Sequence, residues 1–320
     1  VFSQKKIMDF YGNLLINKLR IEGFKVEIIV LQDEEIAKSL NGLEKIFSML
    51  IELGCDRSST FLALGGGVVG DVTGFVAAIF MRGVDYIQIP TTLLAMVDSS
   101  IGGKTGVNLK EGKNLVGAIW QPRAVVIDPD LLVSLPKREI SSAMGEVLKY
   151  GVILDRQLFH VIAENINDLL SLSNYDLLEH VICRCVKIKA DIIAKDEREG
   201  DKRRILNFGH TIGHALESYF GFNIIRHGEA VAYGMLVASN ISLSKLKINK
   251  DEVKVLFQTI KKLSLPKLPK FSSNKIISIM NNDKKVKDGK INFILIEKIG
   301  KSIIVDDVDK KAITMALEIL

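Results

Sequence analysis

The sequence is poor in cysteine, and this scarcity excludes several kinds of fold. It contains three cysteines, Cys55, Cys183 and Cys185, which form no C-x-x-C pair and cannot all join in disulfides. A disulfide-rich secreted domain or a zinc ribbon needs more cysteines at characteristic spacings. We therefore expect a reducing, cytoplasmic environment in which these thiols are buried or inert.

A long apolar run and a large excess of one charge are also lacking. The longest uncharged apolar run, Val72–Met81, is far shorter than the roughly 20 residues of a membrane span, and no signal-peptide pattern is visible. Lys and Arg number 43 against 38 Asp and Glu, for a net charge of +5 with the two signs interleaved. This balance predicts no membrane or nucleic-acid partner and favours anionic small molecules.

The chain, 320 residues with 48% hydrophobic, is long enough for two domains with separate cores. It starts at Val1 in an apparent helix and without an initiator Met, so we expect an N-terminal segment and its strands to be missing. Helical and strand patterns alternate until Asp128-Pro129, and the periodicity is almost wholly helical afterwards. The sequence therefore predicts an α/β domain with a parallel Rossmann-like sheet at 1–134 and a mainly α-helical domain at 135–320.

Apolar periodicity also places the individual elements. Strands are predicted at 26–30, 61–64, 86–89 and 124–127, with a hairpin at 292–296 and 303–305. Helices are predicted around Phe10 and at 43–50, 68–80, 144–150, 158–170, 177–194, 206–219, 229–246 and 253–263.

Two histidines four residues apart are the first sign of a functional site. On a helix, His210 and His214 would share one face, and His227 follows in Arg226–Glu229. Clustered neutral imidazoles suit borderline divalent metals. The alternative is that they are ordinary surface or core histidines, and two histidines alone do not decide.

A glycine-rich turn, Gly65–Asp71, follows a predicted strand and opens a predicted helix. It fits G-x-G-x-x-G, in which glycines let a pyrophosphate approach the helix N-terminus. In the usual Rossmann unit this pattern follows the first strand, whereas at least one βα unit precedes it here. A tight turn that packs helix on strand remains the alternative.

The segment Pro90–Asn108 is dense in hydroxyls, glycines and charged groups. Its Gly102–Thr105 stretch is similar to the end of a P-loop, but the position that needs the first glycine is Asp98, so a Walker A motif is rejected. Lys104 remains a candidate ligand for phosphate or carboxylate.

Further along, Glu146 and Lys149 would share a helix face, either as an exposed ion pair or, among apolar neighbours, pointing into a cleft. A carboxylate is what two histidines need for a three-ligand metal site with an open position. Cations just ahead of Asn207 favour an anion pocket, although each alone would be a surface residue. They are Lys189, Arg198, Arg203 and Arg204.

Taken in order, these segments resemble the 3-dehydroquinate synthase family of the sugar-phosphate cyclases. The resemblance rests on Gly65–Asp71, Met81–Val84, Gln88–Leu94, Val97–Thr105, Gly112–Asn114, Gln121-Pro122, Leu135–Glu139, Glu146–Gly151, Asp196–Arg198, Leu206–Glu217 and His227–Ala230. Gly145 stands where the family usually has Ala, and Asp33–Ser39 matches the family only in part.

The resemblance implies a divalent metal, zinc first and cobalt as the alternative, held by Glu146, His210 and His227. His214 would face the substrate phosphate instead. Residues implied to contact NAD are Gly66, Gly67, Val68, Asp71, Thr91, Thr92, Lys104, Lys113, Glu35 and Lys38. Residues implied in substrate binding and catalysis are Lys149, Asp98 at the reacting end of NAD, Lys104, His214, Asn207, Lys189, Arg203, Arg82, and Lys284 or Lys285.

The implied activity belongs to the shikimate pathway of aromatic amino acid biosynthesis. It converts 3-deoxy-D-arabino-heptulosonate 7-phosphate, a phosphorylated sugar acid, to 3-dehydroquinate and phosphate by transient oxidation with NAD, β-elimination of phosphate, re-reduction and aldol closure. The resemblance also implies a homodimer, in which Arg82 reaches the partner's site. The alternatives are a related cyclase whose substrate lacks the carboxylate and a non-catalytic NAD-binding module.

Overall fold

The computed structural model describes residues 1–32, 34–197, 200, 202–221, 224–246, 248–281 and 291–320, and only the backbone of 34 and 35. Arg198, Lys284, Lys285 and the side chain of Glu35 therefore lie outside the described residues. The chain divides into two compact units, Val1–Leu135 and Pro136–Leu320. Among the described residues, no helix has the length and apolar character to span a membrane.

The first unit contains a five-stranded parallel sheet, as predicted. Its strands are β1 (Phe2–Gln4), β2 (Ile29–Leu31), β3 (Thr60–Gly65), β4 (Asp85–Pro90) and β7 (Ala124–Val125), in the order β2-β1-β3-β4-β7. The expectation that the chain starts in a helix is wrong, because β1 comes first and lies between β2 and β3. Two of the three residues of β1, Ser3 and Gln4, are polar, so no apolar pattern marks this strand in the sequence.

Helices cover this sheet and bury apolar faces. Those of the described residues are α1 (Lys5–Ile7), α2 (Asn13–Ile21), α3 (Leu40–Glu52) and α4 (Gly67–Ile79), with a π-helical turn at Met8–Gly12 between α1 and α2 and another at Ala95–Ser99. In α4, Val69, Val72 and Val76 are fully buried. The longest apolar run of the sequence is thus explained by a helix in the core, since burial of each such side chain contributes about 1.5–3 kcal/mol.

An antiparallel hairpin in the first unit was not predicted. It consists of β5 (Lys104–Leu109) and β6 (Gly112–Ile119), and Gly106 lies opposite Gly117. A Cβ on either glycine would strike the backbone of the facing strand, so the two strands pack closely only because both side chains are absent. Glycine and polar residues in such a pair resemble a loop in sequence.

The second unit is mainly helical, as predicted. Its described helices are α5 (Lys137–Leu154), α6 (Arg156–Glu164), α7 (Ile166–Ser171), α8 (Tyr175–Lys195), α9 (His210–Phe220), α10 (His227–Lys245), α11 (Lys250–Lys262), α12 (Ser273–Asn281) and α13 (Lys310–Leu317). The hairpin of β8 (Phe293–Lys298) and β9 (Lys301–Val305) confirms the predicted one. The predicted helix 158–170 is two helices that meet at Asn165, and α12 and α13 were missed.

Capping side chains account for where several helices begin. Ser39, Asp155, Asn174, Asn249 and Asp309 each precede a helix and accept a hydrogen bond from a backbone N–H of its first turn. Each cap satisfies a donor that the helix itself leaves unpaired, which is worth about 0.5–2 kcal/mol. Short polar residues therefore set these boundaries, and hydrophobic periodicity alone placed the first four of them within a few residues, whereas α13 was missed.

Candidate active site

The centre of the candidate site is a buried ion pair on α5. Glu146 is 0% exposed and Lys149, three residues later, is 2% exposed. Lys149 Nζ contacts Glu146 Oε2 directly. The alternative of a solvent-exposed pair is therefore excluded, and both charges belong to the interior of the second unit.

Two histidines face the other oxygen of this carboxylate. Glu146 Oε1 lies 3.3 Å from Nε2 of His210 and 3.2 Å from Nε2 of His227. His210 is the first residue of α9 and His227 the first of α10, so two helix starts deliver the imidazoles to one carboxylate on a third helix. Their ligand atoms lie within 4.8 Å of one another. The structure thus brings together Glu146, His210 and His227.

In the metal-free protein, positive charges around this trio keep its carboxylate ionised. Burial raises the pKa of Glu146, but the charges of Lys149 and His210 outweigh it and hold that pKa well below its usual range. Burial lowers the pKa of His210. Burial also opposes the charged form of His227, yet hydrogen bonds with Glu146 and Glu217 raise its pKa to about 10. A metal at this point would displace the proton of His227, and the resulting anionic oxygen and two neutral imidazoles form a donor set that fits zinc or a similar divalent metal.

His214 lies beside this trio. Its ring centroid is 5.2 Å from that of His210 and 6.0 Å from that of His227. His214, Glu217 and His227 form a second group whose ligand atoms lie within 4.8 Å of one another. His210 and His214, which are four residues apart, therefore belong to different groups of possible ligands. His227 belongs to both groups.

Glycines let the three helices approach one another at the site. A Cβ on Gly145 would strike the carbonyl oxygen of Gly228, and a Cβ on Gly234 would strike that of Gly209. Gly209 also has φ +78°, a conformation that glycine adopts without strain, immediately before His210. The close packing of α5 and α9 on α10 therefore depends on missing side chains next to Glu146, His210 and His227.

An ion pair fixes the start of α10. Glu229 is buried, and its two oxygens lie 2.7 Å from Arg138 Nε and 2.9 Å from the terminal Nη2 of the same guanidinium. The backbone N–H of Arg226 donates to the same carboxylate at 2.9 Å. A bidentate pair of this kind sets orientation as well as energy. Both residues stood out in the sequence, but their pairing was not predicted.

The predicted anion-binding residues of the second unit are largely buried. Lys189 on α8 and Arg203 in a 3₁₀ turn are buried, whereas Arg204 is half-buried. The Nη1 of Arg203 donates to the carbonyl of Glu197 at 2.7 Å, and the turn ends at Asn207, just before α9. Burial of two cations indicates that they are not ordinary surface residues.

In the first unit, the glycine-rich turn joins β3 to α4, which begins at Gly67. From β1 the chain adds β2 on one side of the sheet, and it then adds β3 and β4 on the other side of β1. The order of the strands therefore reverses between β1 and β3. Ligands of open α/β sheets bind at such a switch point, beyond the carboxyl ends of the strands. The position of the turn after β3 rather than the first strand is therefore compatible with dinucleotide binding. A Cβ on Gly67 would stand 2.9 Å from Ser99 Oγ, so the turn is also tightly packed.

Other predicted cofactor residues lie near this turn. The N–H of Thr91 donates to the carbonyl of Gly65 at 3.0 Å, and Thr92 Oγ1 accepts from the N–H of Ala95 at 3.2 Å. Lys38 is buried, and its Nζ lies 2.7 Å from Asp71 Oδ2 and 2.6 Å from Asn114 Oδ1. The structure thus shows Lys38 in internal contacts. The remaining positions are Val68 in α4, Asp98 in the π-helical turn, Lys104 and Lys113 exposed on the β5–β6 hairpin, and Arg82 exposed after α4 with φ +67°.

Glu217 also belongs to this site, although no role was predicted for it. Its Oε2 lies 3.3 Å from Nδ1 of His227. The signal was present in its spacing, because Glu217 lies two helical turns after His210 and one turn after His214, on the same face.

Two family models match the chain in tandem. The one for the N-terminal part of 3-dehydroquinate synthase matches residues 28–142, and the one for its C-terminal part matches residues 143–286. The chain belongs to the 3-dehydroquinate synthase family. The resemblance seen in the sequence is thereby confirmed. The 3-dehydroquinate synthase of Prochlorococcus marinus (strain MIT 9312) is 46% identical over 312 residues, which cover 97% of this chain and 86% of the relative.

Solved structures of sugar-phosphate cyclases share the fold. A 2-epi-5-epi-valiolone synthase from Streptomyces hygroscopicus subsp. jinggangensis 5008, with NAD+ and Zn2+ bound, has a TM-score of 0.92 and 27% identity, and the match covers 99% of this chain and 89% of that one. A 2-deoxy-scyllo-inosose synthase complexed with carbaglucose-6-phosphate, NAD+ and Co2+ has a TM-score of 0.88 and 30% identity, with coverage of 99% and 89%. The predicted α/β and helical architecture is confirmed by these matches.

Replacing Gly145 with alanine tests how tightly α5 and α10 are packed. Alanine in a helix interior normally gains up to about 1 kcal/mol over glycine. Here we expect a net loss of about 1–3 kcal/mol in the free energy of unfolding, because the new Cβ meets a backbone carbonyl of Gly228 that Arg138 and Glu229 hold in place. Urea unfolding of the metal-free protein, followed by far-UV circular dichroism, measures it.

The matched control is Gly112→Ala, where the nearest side-chain atom would be 3.4 Å from the new Cβ. That variant should unfold at nearly the same urea concentration as the parent protein. If Gly145→Ala were as stable as the parent or more stable, the first turn of α10 would have to move freely, contrary to the packing described above.

Proposed function

We propose that this chain is a 3-dehydroquinate synthase that converts 3-deoxy-D-arabino-heptulosonate 7-phosphate to 3-dehydroquinate and phosphate. The observation that carries the proposal is the buried trio of Glu146, His210 and His227, in a chain that matches both halves of this family. A non-catalytic NAD-binding module would have no need to bury a carboxylate, an ammonium and two imidazoles together, since burying charge is costly unless it serves a purpose.

Glu146, His210 and His227 would hold the metal, and the turn at Gly66, Gly67 and Val68 would hold NAD. Two related cyclases have been solved with NAD+ and with Zn2+ or Co2+ bound, which supports the presence of both groups in this proposal. When bound, NAD supplies a reversible oxidation of the substrate and the metal supplies a Lewis acid for its oxygen. Asp71, Thr91, Thr92 and Lys113 would complete the NAD contacts. In this proposal residues 1–134 form the NAD-binding domain and residues 135–320 the metal- and substrate-binding domain.

The chain's own contribution is to bind and orient a polyanion. Buried cations attract anionic oxygens more strongly than surface ones, because water screens them less. Lys149, Lys189 and Arg203 are such cations, and they would grip the carboxylate, hydroxyls and phosphate of the substrate. Asn207 and His214 would add hydrogen bonds to hydroxyl and phosphate oxygens, while Lys104 and Asp98 would serve the reacting end of NAD. Holding the leaving phosphate and the reacting carbon in one geometry is most of the catalytic task.

We also propose that the protein works in the cytoplasm as a homodimer. Few cysteines, odd in number, suit a reducing compartment. Arg82 is exposed beyond α4 and carries a positive φ, a conformation that is unusual for a residue other than glycine. Such a residue is well placed to serve another subunit's site rather than its own core.

A phosphate-release assay tests the function. Purified protein, loaded with zinc and NAD, should release phosphate from the heptulosonate phosphate and form 3-dehydroquinate. A heptulose phosphate without the carboxylate should react poorly, because Lys189 and Arg203 would lose their partner. If the protein released no phosphate from the heptulosonate phosphate, the proposal would be wrong. Faster release from the compound without the carboxylate would favour the related-cyclase alternative that the solved neighbours represent.

A further inference from the structure

The imidazoles of His210 and His227 face Glu146 with Nε2, and the other ring nitrogen, Nδ1, has a different hydrogen-bond partner in each. Nδ1 of His210 lies 3.1 Å from the backbone carbonyl of Phe208, in the turn that leads into its own helix. Nδ1 of His227 lies 3.3 Å from the Glu217 carboxylate, on a neighbouring helix. One imidazole thus has a neutral acceptor from its own segment, and the other has an anionic acceptor from elsewhere in the fold.

We propose that Glu217 is a positioning residue that fixes the tautomer and the angle of His227 for metal binding. When Nδ1 donates its hydrogen to Glu217, the lone pair of the ring lies on Nε2, the atom that faces Glu146 Oε1. An imidazole that donates to a carboxylate is also a stronger donor to a metal through its other nitrogen. The inference rests on the proposed metal trio and adds to it a fourth residue that does not touch the metal.

The position of Glu217 fits this role. Its side chain is 10% exposed, so it keeps few contacts with water that would compete for the hydrogen bond. It lies on α9, the helix that carries His210 at its start, and α9 packs against α10, which carries His227. A single helix therefore supplies one imidazole directly and holds the second in place by a carboxylate.

A second metal held by His214, Glu217 and His227 is the competing explanation, because their ligand atoms also cluster. With both metals present, His227 would have to bind one through Nε2 and the other through Nδ1. Neither ring nitrogen could then carry a hydrogen. A hydrogen bond to Glu217 needs only the ordinary neutral imidazole. The two explanations differ in the number of metal ions bound per chain.

Zinc affinity of the intact protein, measured by competition with a chromophoric chelator, tests the proposal. Glu217→Ala should bind zinc 10- to 100-fold more weakly, a loss typical of removing an outer partner of a metal-bound histidine. Glu217→Gln keeps an acceptor oxygen without the charge and should lose less. Glu179→Gln, which removes the same charge from an exposed position on α8, should bind zinc like the parent protein.

Two further readouts separate positioning from other roles. With cobalt in place of zinc, Glu217→Ala should change the visible absorption bands that report the ligand geometry, while the thermal unfolding of the metal-free variant stays close to that of the parent. If Glu217→Ala fails to fold, the same comparison with Glu217→Gln decides. Unchanged zinc affinity in a folded variant, or two zinc ions per parent chain and one per variant, would overturn the proposal. Zinc binding is measured without substrate, so a failure of the proposed synthase activity would not be mistaken for this result.

Discussion

Glu146→Gln is expected to leave the purified protein without bound zinc. The carboxylate provides the anionic oxygen that lies within 3.3 Å of both Nε2 atoms, and glutamine replaces it with a neutral amide of the same shape. Two imidazoles alone make a poor zinc site, because structural and catalytic sites in proteins use at least three ligands. Elemental analysis after dialysis against a small excess of chelator should find less than a tenth of the parent's zinc, and phosphate release should disappear with it.

The same variant should also weaken the metal-free fold. Lys149 is buried beside Glu146, so a neutral glutamine leaves an ammonium without its counter-charge in the interior. Removing one partner of a buried pair typically costs about 3–5 kcal/mol. Urea unfolding of the metal-free proteins measures that loss, with Glu164→Gln, exposed on α6, as a control of equal charge change. Zinc at parental stoichiometry in Glu146→Gln would remove Glu146 from the ligand set.

The helices that carry the site could be predicted because they are long and rich in apolar residues, without proline inside. α5, α8 and α10 each repeat apolar residues over many turns, and their predicted centres agree with the structure even where the ends differ. Strand β1 and the β5–β6 hairpin could not be predicted in this way. The first contains two polar residues out of three and therefore shows no apolar pattern. The second depends on two glycines that allow close packing only once the strands lie side by side.

For the candidate site, the sequence showed the residue types but not the contacts between them. The types of residue that could bind a metal were visible in the sequence, since histidine and glutamate have few other reasons to lie among apolar residues. Their supporting contacts were not visible. Arg138 meets Glu229 across 91 positions of chain, and Lys38 meets Asp71 across 33. Such pairs depend on how helices and turns come together, which local periodicity does not specify.

Lys149→Met is expected to separate metal binding from catalysis. Methionine matches much of the length and apolar surface of the lysine stem, so the interior of α5 stays filled. Zinc should be retained, and bound at least as tightly, because Glu146 no longer shares its charge with the ammonium. Phosphate release should fall on the order of 10²- to 10³-fold, the cost of removing one fixed donor to a developing negative charge. Single-turnover measurements on the zinc-loaded variant, at saturating substrate, give this number.

The contrast between the two variants decides what the buried pair does. Lys149 has two possible roles: it can neutralise Glu146 in the metal-free protein, or it can act on the substrate once the metal has taken over that neutralisation. The first role alone predicts a Lys149→Met enzyme that turns over like the parent when zinc is present. Lys187→Met, which removes a lysine charge from an exposed position on α8, provides the baseline. Loss of zinc from Lys149→Met would show that the ammonium holds the trio together, and full activity would show that it has no part in the reaction.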